Sequence, residues 1–220
     1  MTDEIGAGDR RLPVYLVLDT SYSMEGEAIE AVRMGLRALL SDLQGDPHAL
    51  ETCWLSVITF DETAKQLVPL TEIDQFNEPD LVVNGRTSLG AGLELMLDCT
   101  EKEIRKTTPD IKGDYKPLVF IMTDGYPTDS WEQAADKVKK RRLGNVIACA
   151  AGPDADDKPL KQITEVVIRL QDCSAGTLGA FMAWVSDSIK MTSEKIADSG
   201  DGAPINIPPP PADKGIVIVP

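Results

Sequence analysis

The sequence contains little histidine and no long apolar run, and each shortage excludes a class of function. His48 is the one histidine among 220 residues, and no nucleophile in a recognisable motif stands near it. Catalysis by a Ser-His-Asp or Cys-His set is therefore excluded, and His48 is expected in a surface turn. No apolar run approaches the roughly 20 residues that a membrane-spanning helix requires.

Positive charge is also scarce. The chain has 22 basic residues against 36 acidic ones, which gives a formal net charge of -14. No basic stripe in the sequence offsets this excess of negative charge. Because a duplex phosphate backbone or an anionic membrane would repel such a chain, we expect neither nucleic acid nor a membrane as a partner.

The cysteines form no C-x-x-C motif of the kind found in metal or redox sites. The four are Cys53, Cys99, Cys149 and Cys173. Two of them border or lie in apolar, strand-like runs, so we expect free, buried thiols in a reducing compartment. The N-terminal stretch MTDEIGAGDRR is acidic and lacks the apolar segment of a signal peptide. The prediction is a cytoplasmic protein.

Apolar runs alternate with helical spacings along the chain. Strands are predicted at 14–18, 54–60, 65–70, 117–123, 145–151 and 166–170, and helices at 28–43, 89–104, after Asp129 and at 178–189. Asp129 and Glu132 form a predicted capping box for the third helix. This alternation predicts an α/β, doubly wound fold with a mostly parallel sheet and helices on both faces. The short link 61–64 predicts one antiparallel edge strand.

The chain divides by composition into three parts. Residues 1–10 are an N-terminal extension, 11–196 the α/β domain, and 197–220 a tail rich in Gly, Pro and Asp that is expected outside the main core. Ile216–Val219, near its end, resembles a strand. Two alternatives stay open for it: a disordered end, or a strand added to a sheet edge of this chain or of a partner.

Oxygen-bearing side chains gather where predicted strands end. Three follow the first strand in segment 19–23, one follows strand 117–123, and one lies in loop 85–88, which opens a helix. Ligands of open parallel sheets bind outside the carboxyl ends of the strands, so these side chains are expected on one rim. With two formal negative charges among them, they suit Mg²⁺, which prefers oxygen ligands. The five candidate metal ligands are Asp19, Ser21, Ser23, Thr87 and Asp124.

Three short motifs resemble the metal loops of von Willebrand factor A domains. Asp19-Thr20-Ser21-Tyr22-Ser23 matches the D-x-S-x-S motif of that family, Thr87 in GRTSLG resembles its second loop, and Thr123-Asp124-Gly125 resembles its third. The resemblance covers roughly residues 11–196. More narrowly, RLPVYLVLDTSYSM, LSVITFD, GRTSLGAGL and KPLVFIMTDGYPTD are similar to the TerY-type branch, bacterial cytoplasmic proteins associated with tellurite resistance and stress response.

The resemblance implies a metal-ion-dependent adhesion site (MIDAS) that binds Mg²⁺ or Mn²⁺. By that analogy Ser21, Ser23 and Thr87 contact the metal, while Asp19 and Asp124 act directly or through water. An Asp or Glu of a protein partner then completes the coordination. The chain departs from the common pattern at Tyr22 and Arg86, where the family often has Gly, but neither position supplies a side-chain ligand.

The function predicted is a binding module, not an enzyme. The resemblance to the TerY-type branch implies a scaffold or regulator in phosphorylation signalling, with a protein phosphatase and a kinase-like protein as partners. Two alternatives stay open: a metal-dependent phosphoester hydrolase, and a subunit of an ATP-driven chelatase or remodelling complex. The chain itself lacks a nucleotide loop, because GRTSLGAG has no Lys and Ser/Thr after its second glycine.

Overall fold

Apolar runs form the strands of a central sheet, and amphipathic segments form the helices that cover it. The computed structural model describes residues 10–141, 143–153, 155–199 and 207–219. The strands are β1 Leu12–Asp19, β2 Cys53–Phe60, β3 Ala64–Glu72, β4 Leu118–Thr123, β5 Asn145–Ala151, β6 Val166–Leu170 and β7 Ile216–Val219. The helices are α1 Glu27–Gln44, α2 Pro47–Thr52, α3 Leu89–Glu103, α4 Glu132–Arg141, α5 Asp157–Ile163 and α6 Ala175–Ser199.

The seven strands lie in the order β3-β2-β1-β4-β5-β6-β7. The five inner strands are mutually parallel, and β3 pairs antiparallel with β2 at one edge. The predicted α/β fold with a mostly parallel sheet and an antiparallel edge pair is thereby confirmed. The strand order reverses between β1 and β4, so the crevice between their carboxyl ends is the place where such sheets bind ligands.

The sheet is buried on both faces, and β1 shows this because its side chains alternate between two hydrophobic cores. All eight residues of β1 are buried. Val14 and Leu16 belong to the core that contains α1 and α6, whereas Tyr15 and Val17 belong to the core that contains α3, α4 and α5. A strand covered on both faces reads as a continuous apolar run, which is why β1 was recognisable in the sequence.

Two short helices, α2 and α5, lie where no helix was predicted from the sequence. Asp46 caps α2 by accepting a 2.8 Å hydrogen bond from the Ala49 amide, and Asp156 accepts one of 2.9 Å from the Lys158 amide at the start of α5. His48 therefore lies in a helix rather than in a turn. Helices of six or seven residues are too short to display a hydrophobic period, so the cap residues alone could have indicated them.

The predicted capping box at Asp129 is wrong. The Asp129 carboxylate does not cap α4, the helix that follows it in sequence. Its two oxygens each accept a 3.0 Å hydrogen bond, one from the Gly90 amide and one from the Ala91 amide, at the start of α3. The carboxylate thus satisfies two amides of a helix that begins 40 residues earlier in the chain.

The C-terminal segment 207–219 packs against the domain. The indole nitrogen of Trp184 donates a 2.9 Å hydrogen bond to the Pro208 carbonyl, and β7 pairs antiparallel with β6 of the same chain. The tail was expected outside the main core, yet Ile216 is fully buried within it. The predicted extension 1–10, except Arg10, and the stretch 200–206 of the predicted tail lie outside the described residues.

The four cysteines are free, as the sequence predicted. Cys53, Cys99 and Cys149 are buried, while Cys173 is partly exposed. Burial raises the pKa of the Cys53 thiol to about 12 and that of Cys99 to about 11, so both stay protonated near neutral pH. Among the helices that the structure describes, none combines the length and the apolar character that crossing a bilayer would need.

Candidate metal centre

The parallel pairing of β1 with β4 sets two carboxylates at one rim. Leu18 of β1 lies beside Met122 of β4, so the two strands end side by side. Asp19 is the last residue of β1, and Asp124 directly follows β4. Thr87 lies two residues before α3 begins. The predicted convergence of three separate segments on one rim is therefore what the backbone produces.

Four of the five predicted ligands touch one another through their side-chain oxygens. The Ser23 hydroxyl donates a 2.6 Å hydrogen bond to Asp124 Oδ1, and the hydroxyls of Ser23 and Ser21 lie 3.0 Å apart. Thr87 Oγ1 donates a 3.1 Å hydrogen bond to Ser21 Oγ. The result is a continuous row of hard oxygen atoms that runs from the surface at Ser23 to the buried hydroxyl of Thr87.

Asp19, the fifth predicted ligand, is anchored beneath this row. Its Oδ1 accepts a 2.8 Å hydrogen bond from the Ser21 amide, which closes the turn of the first loop. Its Oδ2 accepts a 2.5 Å hydrogen bond from the hydroxyl of Thr123. Both carboxylate oxygens are thus oriented by neutral donors, and the side chain has no solvent exposure.

Backbone hydrogen bonds hold the three loops together. The Tyr22 amide donates to the Gly85 carbonyl at 3.1 Å, which ties the first loop to the second. The Thr128 amide donates to the Thr87 carbonyl at 2.8 Å, which ties the third loop to the second. Because the loops brace one another, the oxygen atoms are arranged before any ligand arrives.

The two carboxylates, Asp19 and Asp124, give the rim a negative charge. Burial raises the pKa of Asp19 to about 6 and also raises that of Asp124 above its usual range. In the described part of the chain, neither residue forms an ion pair with a lysine or an arginine. Buried charges in proteins are normally paired or bound to a metal, so the rim is suited to a cation.

Gly125 leaves room beside the row of oxygens. A Cβ atom at this position would stand 3.0 Å from Thr87 Oγ1 and 3.6 Å from Ser23 Oγ. The first distance is shorter than an ordinary contact, so any larger residue would crowd the predicted ligand Thr87. The absence of a side chain at Gly125 keeps the centre of the rim open.

The donor set consists of hydroxyls and carboxylates. No group of three or more His, Cys, Asp or Glu side chains that could hold a metal exists within the described residues. A site with two carboxylates and three hydroxyls has the hard oxygen donors of a Mg²⁺ or Mn²⁺ site and lacks the nitrogen and sulfur ligands typical of zinc. The residues present therefore fit the hard cation that the sequence motifs imply.

The contribution of Thr123 was not predicted from the sequence. Its hydroxyl orients Asp19, whereas Asp124 was the one candidate ligand predicted in the motif Thr123-Asp124-Gly125. The sequence feature that could have indicated this role is a threonine that ends a predicted strand and directly precedes a candidate ligand. By contrast, Asp61 at the end of β2 accepts a 2.9 Å hydrogen bond from the Thr63 amide and serves its own turn.

Comparisons with known proteins agree with this architecture. The family model of the von Willebrand factor type A domain matches residues 14–174. An uncharacterised protein of Synechocystis is 32% identical over 124 residues, which are 53% of this chain but 26% of that protein. The chain therefore spans about a quarter of the length of this curated relative.

Solved structures with low sequence identity share the fold. A von Willebrand factor type A protein from Catenulispora acidiphila has a TM-score of 0.62 at 17% identity, covering 83% of this chain and 43% of that one. Proximal thread matrix protein 1 from the mussel byssus, described with a zinc-occupied MIDAS motif, has a TM-score of 0.58 at 20% identity. The match covers 81% of this chain and 48% of the mussel chain.

Proposed function

The chain belongs to the von Willebrand factor type A domain family, and on that premise we propose that it is a metal-dependent protein-binding module. A Mg²⁺ or Mn²⁺ ion on the rim would take a carboxylate oxygen of a protein partner as its last ligand. The observation that carries the proposal is the row of hard oxygens beside two carboxylates that form no ion pair with any lysine or arginine among the described residues.

Each predicted ligand has a distinct part in the proposed site. Ser21, Ser23 and Thr87 would hold the ion through their hydroxyls, and Asp19 and Asp124 would hold it directly or through water. When bound, the ion supplies a Lewis-acidic position, because hydroxyl ligands neutralise little of its charge. Mg²⁺ and Mn²⁺ are favoured over zinc because the site contains no nitrogen or sulfur donor.

The rim is deep on one side and open on the other, which suits docking of a partner side chain. Asp19, Ser21 and Thr87 are buried, whereas Ser23 is exposed and Asp124 is half-buried. Tyr22, between two ligands in sequence, has 63% of its surface exposed. A partner that brings a carboxylate to the ion would therefore also contact this ring.

A binding role is favoured over catalysis because, among the described residues, the rim holds no general base beyond its own ligands. His48 lies on α2 and lines a surface groove with Lys190 of α6, away from the rim. The Asp61 carboxylate accepts a hydrogen bond from the Thr63 amide within its own turn. Hydrolysis of a generic phosphoester, lost in Asp124→Ala, would revive the alternative of a phosphoesterase.

We extend the proposal to the biological setting. The segments that resemble the TerY-type branch support a role as a scaffold or regulator in a bacterial stress-response system that includes tellurite resistance. A metal-dependent protein phosphatase and a kinase-like protein are the partners that this resemblance implies, and the cytoplasm is the compartment. Co-purification with a separate ATPase would instead favour the chelatase or remodelling alternative.

The experiment that tests the proposed function is an affinity capture from native cytosol. Three conditions are compared: wild type with Mg²⁺, wild type with EDTA, and Asp19→Ala with Mg²⁺. The proposal expects a partner that is retained under the first condition alone. It is contradicted if the same proteins are retained under all three, because the metal would then have no part in the contact.

A further inference from the structure

A basic groove lies at the amino-terminal end of β4, at the opposite end of the strands from the rim. It has a volume of 350 Å³ and is formed by the C-terminal part of α3, the loop before β4, and the end of α4. The residues that matter here are Arg105, Lys106, Lys116, Arg141, Tyr115 and Leu143. The sequence shows no basic stripe because these cations come from two segments more than 20 residues apart, which the fold brings together.

The groove has four basic side chains, and Glu101 is the one carboxylate in its lining that is not already paired with a residue outside the groove. Lys106 and Arg141 both pair with Glu101, Arg141 at 3.5 Å. Arg105 and Lys116 are exposed, and neither is in an ion pair within the described part of the chain. The other acid, Asp114, is held by Arg11 Nε at 2.9 Å and by its Nη2 at 2.5 Å. The groove is therefore electropositive in a chain of net charge -14.

Helix dipoles explain part of this cluster but not all of it. Lys139, Lys140 and Arg141 end α4, where cations favour the negative end of the helix. Arg105, Lys106 and Lys116 lie outside every helix, and Arg105 and Lys116 leave their charges to solvent. Exposed pairs such as that between Lys106 and Glu101 contribute little stability, so an incoming anion can replace the carboxylate.

We propose that this groove binds an acidic segment of a partner protein, independently of the metal site. A short peptide suits it better than nucleic acid, because the surrounding chain is acidic and would repel a long phosphate backbone. Its lining also contains the half-buried Leu143, which offers apolar contact to a side chain of a peptide. The ring of Tyr115 already has the Arg10 guanidinium stacked over it, 3.9 Å from the ring centroid. The proposal does not rest on the proposed function of the rim.

The groove and the metal rim lie at opposite ends of β4. Lys116 and Pro117 precede β4 and line the groove, whereas Asp124 follows β4 and belongs to the rim. The six residues of β4 separate them by about 20 Å, at roughly 3.3 Å per residue. The two sites therefore share no residue, and a domain with one partner bound at each could connect two proteins.

The test measures binding of a fluorescein-labelled octaglutamate peptide to the full chain at low ionic strength. We compare wild type with Arg105→Glu/Lys116→Glu and with the control Lys65→Glu/Lys158→Glu. Both variants change the net charge equally, and Lys65 and Lys158 are exposed residues outside the groove. The expected result is a loss of affinity of about tenfold or more in the groove variant and a much smaller change in the control.

Two further readouts make the result specific. Peptide binding is expected to be the same in Mg²⁺ and in EDTA and to weaken as salt is added, since the contact is electrostatic. Amide chemical shifts are expected to change around Arg105–Thr107 and Lys116 and not around Ser21–Ser23. Equal losses in both variants, abolition by EDTA, or tighter binding of a single-stranded oligonucleotide than of the peptide would overturn the proposal.

Discussion

The hydroxyl of Thr123 donates a 2.5 Å hydrogen bond to Asp19 Oδ2 across the β1–β4 pair. The contact joins a residue of β4 to the last residue of β1, and it fixes a carboxylate that has no solvent exposure. Residues that orient a ligand in this way control a metal site almost as strongly as the ligands themselves.

Thr123→Val should therefore weaken metal binding without removing any ligand. The substitution leaves Asp19 Oδ2 without its donor, and loss of such a supporting contact typically lowers metal affinity by about 10- to 100-fold. Mg²⁺ titration by calorimetry measures the effect. Thr123→Ser keeps the hydroxyl and should restore most of the affinity; if it binds as weakly as the valine variant, the hydrogen bond is not the cause.

Asp19→Asn should abolish the stabilisation that Mg²⁺ confers while leaving the metal-free fold intact. The amide has nearly the shape of the carboxylate, and it removes a buried charge that pairs with no basic side chain in the described part of the chain. Thermal unfolding with Mg²⁺ and with EDTA measures both effects. Asp61→Asn changes another buried aspartate at a strand end and should keep the full stabilisation by Mg²⁺. If this variant also loses that stabilisation, the effect is not specific to the rim.

Metal affinity should fall as the pH is lowered through about 6, the folded-state pKa of Asp19. Because this pKa lies above the usual 3.8, protonated Asp19 favours the metal-free folded state. That contribution is fully present below pH 3.8 and is lost as the pH rises through 6. Wild type in EDTA should therefore lose stability between these pH values relative to Asp19→Asn, as urea unfolding would measure. Parallel stability curves for the two proteins would contradict the assignment.

Gly125→Ala should reduce metal binding in a protein that remains folded. The added Cβ would stand 3.0 Å from Thr87 Oγ1 and would force one of the two to move. Gly179→Ala is the matched control, because a Cβ there meets no atom within 4 Å, and alanine favours a helix. Mg²⁺ titration of both variants, with circular dichroism to verify folding, separates crowding of the rim from a general effect of the substitution.

Asp129→Ala should destabilise the protein by about 1–2 kcal/mol, because two amides at the start of α3 lose their acceptor. Glu132→Ala should change the free energy of unfolding by less than about 0.5 kcal/mol, as is usual for exposed surface positions. Urea unfolding of both variants measures the two values. A larger cost for Glu132→Ala would favour the local capping box that the sequence suggested.

The elements of this fold that could be predicted are those whose pattern is local. The bounds of β5 and β6 match the predicted ones, because a buried strand reads as a short apolar run between turn residues. The five candidate ligands could likewise be named, since each follows or opens an element whose end was visible in the sequence. Their gathering on one rim follows from the direction of parallel strands.

What only the tertiary structure decided are the contacts between segments distant in the chain. Asp129 is followed by a good capping pattern, yet it caps α3 instead of α4, because the packing of the loops brings the Gly90 and Ala91 amides to its carboxylate. Thr123 reaches Asp19 only through the register of β1 with β4. The basic groove likewise exists only once α3 and α4 end side by side. Sequence spacing encodes period and direction along one element, whereas register and proximity depend on how all the elements pack together.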